Sequence, residues 1–304
     1  MLLGGRGLKR IQHLNRQEQM YGYLFVMPFV LGFAIFTLGP LLAGFVMSFT
    51  DWSILKSNIS FVGLKNYIDF FRLPYSFKMI FNTFYFTVGL VIFNLVIATS
   101  LALLLNKNLK GMGFYRLAFF TPVITTVVVW SVIWKFILSS DGLMNQLLSL
   151  IGVESVAWLF DPKTAMLSVI VVATLKGVGM NMFIILSALK GVPDMYYESA
   201  MLEGASKWNI FWRITLPMIS GILFAVMLVT VMGAFKQFGL IFVMTKGGPM
   251  NSTTVWAYDV YLKAFESLQI GAASASAFLM FFVLLMFSLL QWKYRERWVY
   301  NEEK

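Results

Sequence analysis

Cysteine is absent from this 304-residue chain, and histidine occurs once, as His13. Without thiols there are no disulfides and no thiolate metal sites, and a single histidine leaves no histidine-based metal or triad chemistry. His13 lies in a basic N-terminal stretch and reads as a solvated or headgroup-level residue. Charge is scarce too. Asp, Glu, Lys and Arg make up 12% of the residues and apolar types 59%, where a soluble domain carries about 25% charged residues. With a mean hydropathy of +0.76, most of the chain must face lipid or other helices. No G-x-x-x-x-G-K-[ST], H-E-x-x-H or G-x-S-x-G segment occurs, and no paired carboxylates, so the chain has no phosphate-cradling loop and no hydrolytic constellation. The net charge of +10 does not point to nucleic acid, because no basic helix is interleaved with exposed aromatics.

What is abundant is long apolar runs. Runs of about 20 residues or more, enough to cross a bilayer, lie near Tyr23–Phe49, Ile80–Leu105, Leu117–Leu138, Ala165–Leu189, Met218–Thr245 and Gly271–Trp292. The first is too long for a secretory signal and lacks a small-residue cleavage site; it reads as a retained helix, kinked at Pro28 or Pro40. An even number of spans puts both termini on one side. That side holds Arg6, Lys9, Arg10, Arg16, Lys107, Lys110, Arg116, Lys190, Lys207, Arg213, Lys293, Arg295, Arg297 and Lys304, twice the basic residues of the other. The excess predicts cytosolic termini. The resulting plan is a cytosolic tail over 1–20, a membrane domain over 21–292 and a cytosolic tail over 293–304. The outer loops, about 51–79, 139–164 and 246–270, carry short amphipathic pieces such as Phe61–Phe71. All 14 acidic residues fall outside the spans, which argues against an ion-coupled secondary transporter driven by protons. An ion-coupled secondary transporter is the alternative reading, with sodium coupling through backbone carbonyls left open.

One cytosolic segment, about 190–217, is too structured to be a plain connection. Its core reads Pro193-Asp194-Met-Tyr-Tyr-Glu198-Ser-Ala200-Met-Leu-Glu203-Gly204-Ala205 and continues to Ile214-Thr-Leu216-Pro217. Pro193 suits a first helical turn, Asp194 and Glu198 suit the positive end of a helix dipole, and Gly204 allows a sharp change of direction. A second short helix and a proline opening the next span complete the pattern. Tyr196, Tyr197, Met201 and Leu202 offer apolar anchors for a groove, flanked by Glu198 and Glu203.

These residues resemble the E-A-A-x-x-x-G-x(9)-I-x-L-P loop of the membrane subunits of binding-protein-dependent ABC importers. Glu198, Ala200, Gly204, Ile214, Leu216 and Pro217 match it at the right spacing; Ser199 and Glu203 depart conservatively. Phe61-Val-Gly63-Leu64-Lys-Asn66-Tyr67, Gly142-Leu-Met-Asn145-Gln-Leu147-Leu148 with Gly152, and Thr245-Lys-Gly247-Gly248-Pro249 are similar to segments of the carbohydrate branch, in the first of its two permease types. The resemblance implies an all-α fold of six transmembrane helices, the type I importer permease, in a bacterial or archaeal cell membrane. It further implies a heterodimer with a second, distinct permease, two cytosolic ABC ATPases and an extracytoplasmic solute-binding protein. The cargo would be a sugar or oligosaccharide. No cofactor would be bound by this chain, ATP and Mg being used by the partner ATPase.

Two helical faces flank the coupling loop. Ala173, Lys176, Gly177 and Met180 lie at i, i+3, i+4 and i+7, and Thr230, Gly233, Ala234 and Gln237 repeat that spacing. By the same resemblance these faces are similar to those lining the substrate cavity of related sugar importers, with Gly and Ala replacing most of the large groups a tight disaccharide site needs. Gly and Ala in such stripes also serve close helix packing. Lys176 lies about 14 residues before Lys190, some 20 Å deep at about 1.5 Å per residue. Its ammonium there needs a carbonyl, a water-filled cavity or an anionic ligand. Lys236 stands beside the second face. Lys135, near a span end, reads as snorkelling, and Trp130, Trp134 and Trp292 as interface aromatics. Lacking a phosphate-binding loop, the chain is expected to hydrolyse no ATP alone; turnover by the purified subunit, free of contaminating ATPase, would contradict this.

Overall fold

A computed structural model describes residues 4–56, 58–106 and 111–298. Lys107, Lys110 and Lys304 lie outside the described residues, as do the side chains of Arg6, Lys9, Arg10, His13, Arg16, Arg116 and Arg297. Among the described residues the fold is helical, apart from one antiparallel bridge between Thr50 and Phe61. In chain order the helices are α1 (Gly4–Phe33), α2 (Gly39–Met47), α3 (Lys65–Arg72), α4 (Pro74–Leu105), α5 (Met112–Ile124), α6 (Val127–Ile137), α7 (Leu143–Leu150), α8 (Ala165–Lys190) and α9 (Asp194–Leu202). They continue as α10 (Lys207–Ile210), α11 (Leu216–Met218), α12 (Ser220–Phe235), α13 (Gly239–Met244), α14 (Trp256–Tyr261) and α15 (Ile270–Trp298).

Four stretches are long and apolar enough to cross a bilayer unbroken: Glu18–Met47, Pro74–Leu105, Ala165–Lys190 and Ile270–Arg295. The first carries a π-helical turn over Ala34–Leu38, just before Pro40 near the start of α2, while Pro28 sits inside α1. Proline has no N–H to give the preceding turn, which accounts for the irregularity on its N-terminal side. Both expected tails are helical where described: α1 starts at Gly4 and α15 runs to Trp298. Their Arg, Lys, Gln and Leu residues are good helix formers that extend the adjoining spans.

The two remaining spans are broken, which corrects the uninterrupted runs expected from hydropathy. Leu117–Leu138 divides into α5 and α6, bent by 104°. Pro122 weakens the last turn of α5, Thr125 and Thr126 are extended, and the Thr126 side chain caps α6 by accepting from the Val129 N–H. Met218–Thr245 divides into α12 and α13 around Lys236–Phe238. Here Phe238 stacks on Phe242 and lies 4.7 Å from the Tyr261 ring, drawing the chain off the α12 axis. The segment Lys207–Met218 meets α12 at 66°.

Packing centres on α4 against α8, with α12 on α4, and α5 and α6 on α8. Two apolar clusters form. One joins Phe86, Val169, Ile170, Val172, Ala234, Leu240 and Ile241; the other joins Ala98, Ala102, Val178, Met182, Ile185, Leu189, Ile219 and Val226. The outer motifs act as braces. Asn66 Nδ2 donates to the Ser48 and Thr50 carbonyls, both at 2.8 Å, and the Tyr67 hydroxyl lies 2.6 Å from Ser48 Oγ. Asn145 Nδ2 reaches the Ser139, Ser140 and Val156 carbonyls, and its Oδ1 accepts from the Val156 N–H and Trp158 Nε1. Around Gly247-Gly248-Pro249, Thr254 Oγ1 donates to the Gly247 carbonyl and Thr253 Oγ1 to the Gly248 carbonyl.

Close approach of α8 to α5 has a strict sequence requirement at Gly179, where a Cβ would run into the Phe119 carbonyl oxygen. Gly179→Val should therefore cost about 1–3 kcal/mol, the usual range for overpacking. A lowered melting temperature of the purified permease is the expected result; an unchanged one would mean that the two helices do not pack this closely.

Candidate functional site

The loop between α8 and α12 is built around the end of α9. The Ala205 N–H bonds the Ala200 carbonyl (2.9 Å), the Gly204 N–H bonds the Met201 carbonyl (3.0 Å), and Gly204 has φ +76°. That paired pattern is a Schellman motif, with Gly204 at C′ and Ala205 at C″. It explains the spacing in physical terms. Glycine is needed for the left-handed turn, and small residues at 200 and 205 let the chain fold back on itself. Ala200 is buried. The next short helix starts at Ser206, whose Oγ accepts from the Asn209 N–H at 3.3 Å. A π-helical turn over Phe211–Thr215 follows, containing Ile214, and Leu216 and Pro217 open α11.

Pro193 caps α9 with an extended backbone rather than entering its first turn, and Asp194 is the first helical residue. Of the four expected anchors, Tyr196, Met201 and Leu202 are exposed, Leu202 at 90%, and Met195 joins them. Tyr197 packs inward on the Val178–Met182 cluster, on the side of α9 that also buries Ala200 three residues on. Glu198 and Glu203 are exposed. The loop is thus a short helix clamped onto its own bundle by Tyr197 and Ala200, presenting Met, Tyr, Leu and two carboxylates outward.

The two faces beside the loop divide in a way that spacing alone did not reveal. Ala173 and Ala234 are buried in the first apolar cluster. Met180 is 49% exposed, Lys236 is exposed, and Gln237 is half-buried with its N–H on the Ala234 carbonyl. A Cβ at Gly233 would meet nothing within 4 Å, whereas one at Gly177 would come within 3.2 Å of Asn94 Nδ2. Gly233 therefore borders open space and Gly177 is a packing glycine.

Lys176 is half-buried, and its ammonium donates to the Thr125 carbonyl at 2.6 Å and the Pro122 carbonyl at 3.1 Å. Both carbonyls stand at the α5–α6 break, where the intrahelical donors of a next turn are missing. A cation is favoured at such a helix end. Trp130 is not an interface aromatic: its Nε1 donates to the Val172 carbonyl at 3.0 Å, and Trp130 and Trp134 pack on the first cluster. Trp292 is exposed, with the Arg295 guanidinium 4.4 Å from its ring, and Lys135 reaches the Val243 carbonyl at 3.4 Å.

Sequence reasoning missed two amides. Asn181 Nδ2 donates to Asn94 Oδ1 at 2.6 Å and to Thr230 Oγ1 at 3.2 Å, and Thr230 donates to the Val226 carbonyl. This trio joins α4, α8 and α12 inside the bundle. The available signal was the rarity of amides in apolar spans and the position of Asn181, four residues after Gly177. No group of three or more His, Cys, Asp or Glu that could hold a metal occurs among the described residues.

Residues 84–296 match the family described as binding-protein-dependent transport system inner membrane component. The chain is 34% identical over 283 residues to the probable ABC transporter permease protein YurN of Bacillus subtilis, covering 91% of this chain and 97% of that one. It is 30% identical over 291 residues to the arabinooligosaccharides transport system permease protein AraP of Halalkalibacterium halodurans, covering 94% and 91%. Its fold superposes on a chain of the crystal structure of a bacterial alginate ABC transporter in complex with an alginate pentasaccharide-bound periplasmic protein. The TM-score is 0.81 at 22% identity, with 94% of this chain and 96% of that one covered. With the helical architecture of four unbroken spans and two bent pairs, these likenesses establish that the chain belongs to the family of inner membrane components of binding-protein-dependent transport systems.

Proposed function

We propose that this permease carries a sugar or oligosaccharide inward, delivered by an extracytoplasmic binding protein, in a heterodimer with a second, distinct permease and driven by two cytosolic ABC ATPases. The observation that carries the reading is the outward face of α9. A nine-residue helix closed by a Schellman turn presents Met195, Tyr196, Met201 and Leu202 with Glu198 and Glu203, the mixture that helix-in-groove docking uses. Clamped to the bundle by Ala200 and Tyr197, it can pass rigid-body motion of the ATPases to α8 and α12. ATP and Mg belong to those partners, and this chain binds no cofactor of its own. The chain sits in the cytoplasmic membrane with both termini and the coupling loop in the cytosol. The AraP relative supports a carbohydrate cargo. An ion-coupled carrier is disfavoured, because the described spans hold no carboxylate apart from Glu18 at the very start of the first.

Coupling is tested at Gly204 and Glu198. Gly204→Val places a β-branched side chain at positive φ, and Glu198→Lys inverts a docking charge; each is expected to cut transport at least tenfold with membrane insertion intact. Wild-type transport and ATPase association in both variants would refute the docking role.

Cargo charge is tested at Lys176. Two of its three N–H groups serve carbonyls, and with exposed Lys236 it makes the Met180–Gly233 face positive. A cation in low dielectric attracts anions more strongly than in water, so the face favours uronate-containing oligosaccharides over neutral ones. In reconstituted complexes, Lys176→Met should reduce uptake of a uronate trimer about tenfold more than that of a neutral trimer, with assembly preserved. Uptake of neutral sugars only, unchanged in the Met variant, would reject the charge role.

A further inference from the structure

The Asn94–Asn181–Thr230 trio leaves the Asn181 amide oxygen without a donor in a telling place. Both Nδ2 hydrogens of Asn181 are used, toward Asn94 Oδ1 and Thr230 Oγ1. Those two bonds hold the amide plane, and its oxygen accepts from no group among the described residues. Asn181 is half-buried beside two exposed neighbours on α8, Met180 (49%) and Ile184 (38%). Across from it Thr230 is followed by Gly233, where a Cβ would meet open space. The oxygen thus belongs to the seam of α8 and α12 that borders the open face. At about 1.5 Å per residue Asn181 lies some 13 Å from the cytosolic end of α8, well inside the apolar layer. Unlike the side-chain oxygens of Ser76, Ser252 and Gln291, the Asn181 oxygen is not fully enclosed, so a donor from the open face can reach it.

We propose that Asn181 Oδ1 is a cargo-contacting acceptor that takes a hydrogen bond from a hydroxyl of the passing sugar, with Asn94 and Thr230 as the residues that aim it. The chemistry fits a polyol. A neutral amide oxygen accepts from an uncharged hydroxyl without the desolvation cost that a carboxylate would bear in the membrane. Its modest strength, about 0.5–1.5 kcal/mol net, lets the cargo leave again. Lys176 plays a different part, because its hydrogens are directed to the α5–α6 break. The assignment rests on the sugar-import reading.

The test uses the whole importer, with its partner permease, ATPases and binding protein, reconstituted in proteoliposomes. Uptake is first screened with maltotriose, lactose, trehalose, arabinotriose and a uronate trimer, and the sugar taken up is then offered as a series of monodeoxy analogues. In the native complex one deoxy position is expected to lose uptake rate by about two- to tenfold, the equivalent of one hydrogen bond. In Asn181→Leu the parent sugar loses that factor and that deoxy position costs nothing further, the signature of a direct pair in a double-mutant cycle. Asn181→Ala, which adds no bulk, is run in parallel in case the leucine variant does not assemble. A merely structural role would slow all analogues alike and leave the deoxy penalty intact, and that result overturns the assignment. Native uptake with unchanged rates in both variants overturns it too. If the native complex imports none of the five sugars, the sugar reading fails first and the assignment falls with it.

Discussion

Inside a bilayer every backbone carbonyl and N–H must find a partner within the protein, and that constraint governs this chain. The unbroken helices α4 and α8 meet it internally. The two broken spans cannot, and each break has its own remedy. At Thr125–Thr126 the Thr126 side chain caps the incoming helix, while the Lys176 ammonium takes the carbonyls left by the outgoing one. The depth of Lys176 therefore has a structural cause that operates whether or not cargo is present. Trp130 then ties α6 back to α8 through the Val172 carbonyl, so the bent segment is held on both sides of its corner. The second break, around Lys236–Phe238, is sealed by an aromatic group of Phe238, Phe242, Tyr258 and Tyr261. The outer halves α6 and α13 consequently pack on each other, with Gly239 against Val127.

The same economy shapes the loop between α8 and α12. Gly204 takes the left-handed C′ position of a Schellman motif, with Ala200 and Ala205 at C3 and C″, the pair that the 6→1 bond joins. The residues that close the turn differ from those available to a partner. Tyr197 anchors the helix to the cluster that also contains Ile219 at the start of α12. The exposed side of α9 is thus connected to α8 and α12 through packed side chains rather than through a flexible tether. Between those two helices lies the Asn181–Thr230 bond, the polar contact by which the two spans flanking the loop register against each other.

Much of this was legible in the residues. The apolar segments and the short helix and glycine turn of the loop follow from hydropathy and turn chemistry, because each depends on near neighbours in the chain, whereas the bracing roles of Asn66 and Asn145 appear only in the structure. The two spans read as straight were the failures. Hydropathy sums apolar content over a window and cannot register that Pro122 and the Thr125–Thr126 pair spoil one helical turn, nor that Phe238 finds a better stack off the axis. The stripe of Gly177, Gly233 and Ala234 looked uniform for a similar reason. Helical spacing places residues on a face without saying what lies opposite.

By itself, then, the sequence determined an all-helical membrane chain and the glycine turn that closes the short helix after Pro193, since both rest on local composition and on steric rules of single residues. Only the tertiary structure decided which small residues border open space and which are packed. Gly233 faces a void, Ala234 is buried, and Gly177 abuts Asn94. It likewise decided that the partners of Lys176 are carbonyls on α5 and at Thr125, and that Asn94, Asn181 and Thr230 from three distant segments meet. Those outcomes depend on how helices far apart in sequence approach, and the approach is set by packing across the whole bundle.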